Sequence, residues 1–492
     1  MRIDSGIFST ATILKKNLNI SLLKQITVLV KIRSIFSLFR IALQGTEKNF
    51  TSGNVNRATF LLSVPTMLEL SMESLFVLVD LLFVSSLGEN AITVVGITNS
   101  VVILIQSVAM GLSIAATAMI SRRVGEQKPR RAGQTAMQVI YLGIFLSVIC
   151  SVLAVIFNQE IMRFAGGSDH LVSYGNAFSK TMFAGLIFMI MRILINGVFR
   201  GSGDASMAMR TLAFSNVLNG LLCAVLIFGL GPFPKLGLLG AAIAMVIANA
   251  FSVSYQLWYL FKNNETIIIG KRQMLMVPVL MKRILKLATA GMIQNLVPSS
   301  SRFLMIVIVA KLGENVLAGY IIANRIIMFS VLPAYGIANA AGVLTGQNLG
   351  ARQPERAEAS VWKTGTFNMC FLGLIAIFLM FYAKTLAGFF THDEQILSYA
   401  STYLQYMAIA YFFFGYTMVI SRALNAAGSV NTVTVLYILM FYMIQLPLSY
   451  LLGTYYEWGP KGIFIAILIS EIVLATSSIL VFRTGKWKTV KL

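Results

Sequence analysis

The sequence predicts an all-α integral membrane protein of twelve transmembrane helices, arranged as two parallel-repeat six-helix bundles. Three observations carry this. Of 492 residues, 57% are apolar and 12% charged, with a mean hydropathy of +0.79, whereas about a quarter of a soluble chain is charged. The apolar residues come in blocks of about twenty or more, the length a helix needs to cross a bilayer. The second half of the chain repeats the first at one fixed offset. This pattern excludes an ordinary cytosolic enzyme, a disulfide scaffold and a disordered chain. Cys150, Cys223 and Cys370 stand alone in apolar blocks without C-x-x-C spacing and are expected to be packing residues.

Residues 1–56 form a basic segment in which Lys15, Lys16, Lys24, Lys31, Arg33 and Arg40 interrupt an apolar stretch too often for a span. A helix lying on an anionic leaflet is expected there. Candidate spans follow near 58–84, 91–120, 134–157, 171–198, 206–230 and 237–261, the first bundle occupying 57–261. A cytoplasmic linker, 262–283, carries Lys262, Lys271, Arg272, Lys282 and Arg283. The second bundle, 284–483, has spans near 284–310, 316–346, 359–383, 396–421, 431–453 and 460–482, before a basic tail at 484–492. All are helical by length, since open sheets cannot cross lipid and barrel strands alternate with period two. Breakers sit between the spans, among them Gly88, Gly166-Gly167, Gly231-Pro232, Gly313 and Gly459-Pro460.

The charges set an expected orientation. Loops after odd-numbered spans hold at most one basic residue each, such as Arg163, Lys235 or Lys384. The loop after span 2 alone holds Arg122, Arg123, Lys128, Arg130 and Arg131. The positive-inside bias therefore places both termini and the even-numbered loops in the cytoplasm of a multi-pass protein. It also accounts for the net charge of +21 without nucleic acid.

Leu87-Gly88-Glu89-Asn90 recurs as Leu312-Gly313-Glu314-Asn315, an offset of 313 − 88 = 225. At that offset Asn99 meets Asn324, Gly111 meets Gly336, Gly125 meets Gly350, Pro129 meets Pro354, Tyr174 meets Tyr399 and Gly203 meets Gly428, with no gap. Six spans per copy is an even number, so both copies enter the membrane from the same side. Parallel repeats are a transporter design with the substrate site between the halves.

The chain resembles the multidrug and toxic compound extrusion (MATE) family of secondary antiporters, bacterial branch, over roughly 57–483. The resemblance rests on Pro65, Glu69, Glu73-Ser74, Val79-Asp80 and Leu87-Gly88 in the first span, and on the paired loops Ser121–Gly125 and Gly346–Gly350. Arg200-Gly201-Ser202-Gly203-Asp204 and Gly237–Ala244 complete it. It implies two bundles in a V, exporting amphipathic, often cationic, compounds against a proton or sodium gradient in a bacterial inner membrane. It further implies no enzyme activity, no cofactor beyond the coupling ion, and a monomer. Proton-coupled relatives carry Asn-x-x-x-Asp in span 5; here Asn219 keeps the first position and Cys223 replaces the aspartate. Sodium-linked relatives carry acids in spans 7 and 10, which this sequence lacks at 284–310 and 396–421.

Glu69, Glu73 and Asp80 share one stripe of span 1: at about 100° per residue they fall within roughly 40° of one another. A charge facing lipid costs about 2.5–3.5 kcal/mol on insertion scales, so three on one face imply a wet or protein-lined surface. They are the candidate ion-coupling residues, with a structural ion-pair cluster as the bland alternative. Asn99, Asn219, Gln294 and Asn324 are candidate cavity residues. Arg302, Arg325 and Glu471 are candidate intramembrane charge partners, Arg302 by its depth between Glu73 and Asp80; Arg192 is either another residue with a structural or functional partner or one that reaches the basic edge. Twenty-five Met and 33 Phe suit a pliable apolar pocket, though most pack or face lipid. No nucleophile triad, zinc motif or phosphate loop is present. A lipid-linked precursor flippase is the alternative function; an intramembrane enzyme or a channel fits the full-length repeat less well.

Overall fold

The computed structural model describes residues 36–262 and 265–490. Most of the expected interfacial segment, 1–35, lies outside the described residues. Its described end is helical over 36–44 and leads into an extended strap up to Asn54.

Twelve long helices follow. The first six are α1 (Val55–Ser85), α2 (Glu89–Gly125), α3 (Pro129–Ile156), α4 (Asp169–Ser202), α5 (Ala205–Phe228) and α6 (Leu238–Lys262). The second six are α7 (Pro278–Ala310), α8 (Glu314–Gly350), α9 (Pro354–Gly388), α10 (Glu394–Ala426), α11 (Val430–Tyr455) and α12 (Gly459–Arg483). Eleven of them, α2 to α12, are long and apolar enough to cross a membrane. α1 also has the length, at 31 residues, and carries Glu69, Glu73 and Asp80. α4 is two helical pieces that meet at Gly185. α11 widens into π-helical turns at Leu439–Gln445 and Leu451–Tyr455, on either side of Pro447. A proline has no N–H to give the helical ladder, so the hydrogen bonds shift around it.

The repeat is visible in the backbone. Gly88 and Gly313 open α2 and α8 with φ of 97° and 114°. Gln127 and Arg352, also 225 residues apart, both adopt the left-handed region at φ 55° and 58° in the turns before α3 and α9. The buried apolar residues fall into two large clusters, one from Val84 to Ala288 and one from Met305 to Trp487. Each half therefore has its own core.

The first helix of each half starts against the other half. A Cβ on Gly111 of α2 would strike the backbone nitrogen of Met292 in α7; a Cβ on Gly336 of α8 would strike that of Met67 in α1. These two contacts are the same contact at offset 225. Nearer the basic loops, Gly125 lies against the Gln347 carbonyl and Gly350 against the Arg122 carbonyl, again a matched pair. A pseudo-two-fold axis passes between α2 and α8 there, and glycine alone allows backbones to approach so closely. At the far ends of the same helices Gly88 and Gly313 have nothing within 4 Å of a Cβ position. The halves thus close on each other at the basic face and part toward the opposite one.

The strap reinforces that closure. Lys48 Nζ lies 3.1 Å from Asp204, the buried N-cap of α5, and Tyr259 donates to the same carboxylate at 3.2 Å. Burial pulls the Lys48 ammonium downward, but Asp204 beside it leaves it above its ordinary pKa. Gln347 of the second half pairs twice with the strap backbone, accepting from Phe50 N at 2.9 Å and donating to the Lys48 carbonyl at 3.0 Å. Arg356 adds a bond to the Ser52 carbonyl at 2.8 Å. The linker is pinned to α3: Gln138 donates to the Leu275 carbonyl at 2.9 Å and accepts from Val277 N at 2.9 Å.

Candidate functional site

The three α1 acids do not form one cluster; each has its own environment. α4 carries Arg192, Asn196 and Arg200 at four-residue spacing, which puts all three on one helix face. That face lies against α1. Arg200 Nη1 is 3.2 Å from Glu69 Oε1, and Asn196 donates to the same oxygen at 3.1 Å. Gln256 of α6 holds Asn196 in turn, donating to its Oδ1 at 2.6 Å. Glu69 is 3% exposed, on the buried side of the pair, and Arg200 is its more accessible member. Glu73, a turn higher, is exposed and reaches Arg192 at 3.7 Å. Arg192 thus meets an α1 acid rather than the basic edge.

Asp80 has no basic partner among the described residues. Neutral groups of α5 face it: Asn219 Nδ2 donates at 3.2 Å and the Cys223 thiol at 3.7 Å. Cys223 replaces the aspartate of proton-coupled relatives, and here it supplies a donor to the one α1 carboxylate without a counter-charge. The Asn219 carbonyl oxygen is buried without a partner.

A cavity of about 260 Å³ lies between the halves. Its lining comes from α1, α2 and α4 on one side and from α7, α8 and α10 on the other. Much of the lining consists of repeat partners: Leu70 with Asn295, Met110 with Tyr335, Ile114 with Asn339, and Arg200 with Asn425, each 225 apart. The cavity therefore sits on the pseudo-two-fold axis. The repeat is symmetric in backbone but not in chemistry. At the first three pairs the first half presents an apolar side chain and the second a polar one, while Ser113, Thr117 and Arg200 add polar groups on the first-half side.

Asn99, Asn219, Gln294 and Asn324 are not among the lining residues. Asn219 serves Asp80, Gln294 is 6% exposed, and Asn324 donates to the Tyr320 carbonyl of its own helix at 2.9 Å. Arg302, Arg325 and Glu471 form no ion pair among the described residues, so none neutralises an α1 acid. Depth along the membrane matched Arg302 to Glu73 and Asp80, but the outer half of α7 packs into the second core, where Met305 and Val309 are buried. For Arg192 and Arg200 the sequence offered one signal, basic residues eight apart on an apolar helix, which gives them a shared face but not what that face meets. Arg422, Asn425 and Tyr335 carried no such signal, because only the packing of α8 on α10 turns them toward the axis.

Known proteins agree with this architecture. The family model MatE matches residues 65–225 and again 291–451, once per half. The probable multidrug resistance protein YpnP of Bacillus subtilis is 25% identical over 454 residues, 90% of this chain and 98% of its own. The probable multidrug resistance protein NorM of Thermotoga maritima is 24% identical, covering 92% of this chain and 97% of its own. The solved outward-facing conformation of a multidrug resistance MATE family transporter superposes with a TM-score of 0.83 at 25% identity, over 90% of this chain and all of that one. Two matched halves, an axial cavity between them and a doubled family match together place the chain in the MATE family of multidrug efflux transporters.

Proposed function

We propose that this transporter exports amphipathic small molecules in exchange for protons, rocking its halves about the pseudo-two-fold axis, with the basic face in the cytoplasm. The observation that carries the reading is the axial cavity, lined by both apolar and polar side chains and closed toward the basic loops. The basic loops, the strap and the end of α12 share that face, which the positive-inside bias assigns to the cytoplasm of a bacterial plasma membrane.

Asp80 is the coupling residue in this reading. Glu69 and Glu73 already have arginine partners in Arg200 and Arg192. Asp80 has only Asn219 and Cys223. It lies ten residues along α1 from Leu70 of the cavity, roughly 15 Å at 1.5 Å per residue. Proton and substrate therefore do not compete for one spot. They favour opposite conformations, and the coupling between them is a difference of state free energies, typically about 1–3 kcal/mol. By linkage, substrate that favours one state must expel the proton that favours the other.

Proton release on adding a panel of cationic, neutral and anionic aromatic amphiphiles to the purified protein in detergent tests this. Members of the panel that bind should release protons from the wild type and release none from Asp80→Asn. Equal release from both would place the coupling proton elsewhere.

A further inference from the structure

The charge of the cavity is one-sided. Its lining contains Arg200 and Arg422 and no carboxylate. Glu69 neutralises Arg200 at 3.2 Å. Arg422 has no ion pair and donates no hydrogen bond among the described residues; its guanidinium lies over the Tyr335 ring, 5.8 Å from the centroid. Asn425, three residues further along α10, is 2% exposed and leaves both side-chain polar atoms without a partner. Among the described residues, the Asn425 amide nitrogen and the Arg422 guanidinium are thus donors without an acceptor, side by side on one wall, and the Asn425 oxygen beside them is open as well.

A guanidinium taken out of water is costly unless it is paired, and its planar fork fits a carboxylate or a phosphate with two parallel bonds. Across the cavity Leu70, Met110 and Ile114 offer apolar side chains. We infer that the cavity takes amphipathic anions: a carboxylate or phosphate head on Arg422 and Asn425, with an aromatic or aliphatic body against Leu70, Met110 and Ile114. This rests on the export function proposed above and names its substrate class. The three acids of α1 favour cationic substrates only if they line the cavity, and none of them is among its lining residues. Occupancy also bears on the transport cycle. Closing the cleft strips water from Arg422, and a bound anion supplies the counter-charge that an empty cavity lacks.

Calorimetric titration of the full-length protein in a neutral detergent, without any ion gradient, tests the assignment. The probes share one ring system: 1-naphthyl phosphate, 1-naphthoate and (1-naphthylmethyl)trimethylammonium. At least one anion should bind ten-fold or more tighter than the ammonium, and which anion does so identifies the head group. Arg422→Gln should weaken anion binding ten-fold or more and leave the ammonium unchanged or tighter. Ammonium binding as tight as both anions, no anion binding at all, or anion affinity within two-fold in Arg422→Gln would each overturn it. If Arg422→Gln does not fold, the wild-type comparison alone decides. A failure of proton coupling leaves these affinities untouched, and a preference for ammonium leaves the coupling reading standing.

Discussion

At the scale of residues, two of the three α1 acids, Glu69 and Glu73, come with arginine partners, and Asp80, among the described residues, does not. Glu69 is the extreme case, 3% exposed and held by Arg200 and Asn196. Removing one member of a buried pair leaves an uncompensated charge and costs about 3–5 kcal/mol, whereas removing both is often neutral. Arg200→Ala should therefore lower the melting temperature in detergent by several degrees, and Arg200→Ala with Glu69→Gln should recover most of it. Equal loss in the single and double variants would show that the pair contributes no stability of its own. The acidic stripe of α1 was legible in the sequence because helical geometry fixes which side chains share a face. Its partners were not, because rotation of α4 about its own axis decides whether Arg192 and Arg200 meet α1 or lipid. Depth alone pointed to Arg302, and depth says nothing about direction.

At the scale of elements, closure at the basic face depends on the glycine contacts of α2 with α8 and on the strap. Gln347 makes two hydrogen bonds to strap backbone. At about 1 kcal/mol net for each, Gln347→Leu should shift the equilibrium toward an open basic face by roughly thirty-fold. Spin labels at Lys128 and Arg352, in the turns beside the axis, report this directly. The wild type should give one short distance, and Gln347→Leu a second, longer population; an unchanged distribution would mean the strap does not hold the gate. A bulky residue at Gly125 acts more strongly, because a side chain there has only the Gln347 carbonyl to meet. Gly125→Leu should abolish the short distance. These contacts explain why the repeat keeps glycine on glycine without a gap. Where backbones touch across a pseudo-two-fold, an insertion or a side chain on either copy breaks both contacts.

At the scale of the whole molecule, two halves with separate cores meet along an axis that carries the cavity. Twelve spans, the repeat and its parallel sense were legible in blocks of apolar residues and in the offset of 225, since bilayer thickness and packing leave few alternatives. The chemistry of the cavity was not, because it resides in the departures from symmetry, Asn295 opposite Leu70 and Tyr335 opposite Met110, and these have meaning only once the axis is known. Orientation follows from loop charge: cysteines at position 126 or 267 should resist a membrane-impermeant reagent applied outside intact cells, and labelling from outside would invert the topology. The central claim is proton-driven export, tested most directly in proteoliposomes with pH and sodium gradients imposed separately. A pH gradient alone should drive substrate movement against the proton flow, a sodium gradient alone should not, and Asp80→Asn should abolish the pH-driven flux. Flux that follows sodium at constant pH, or that persists under a pH gradient in Asp80→Asn, would contradict it.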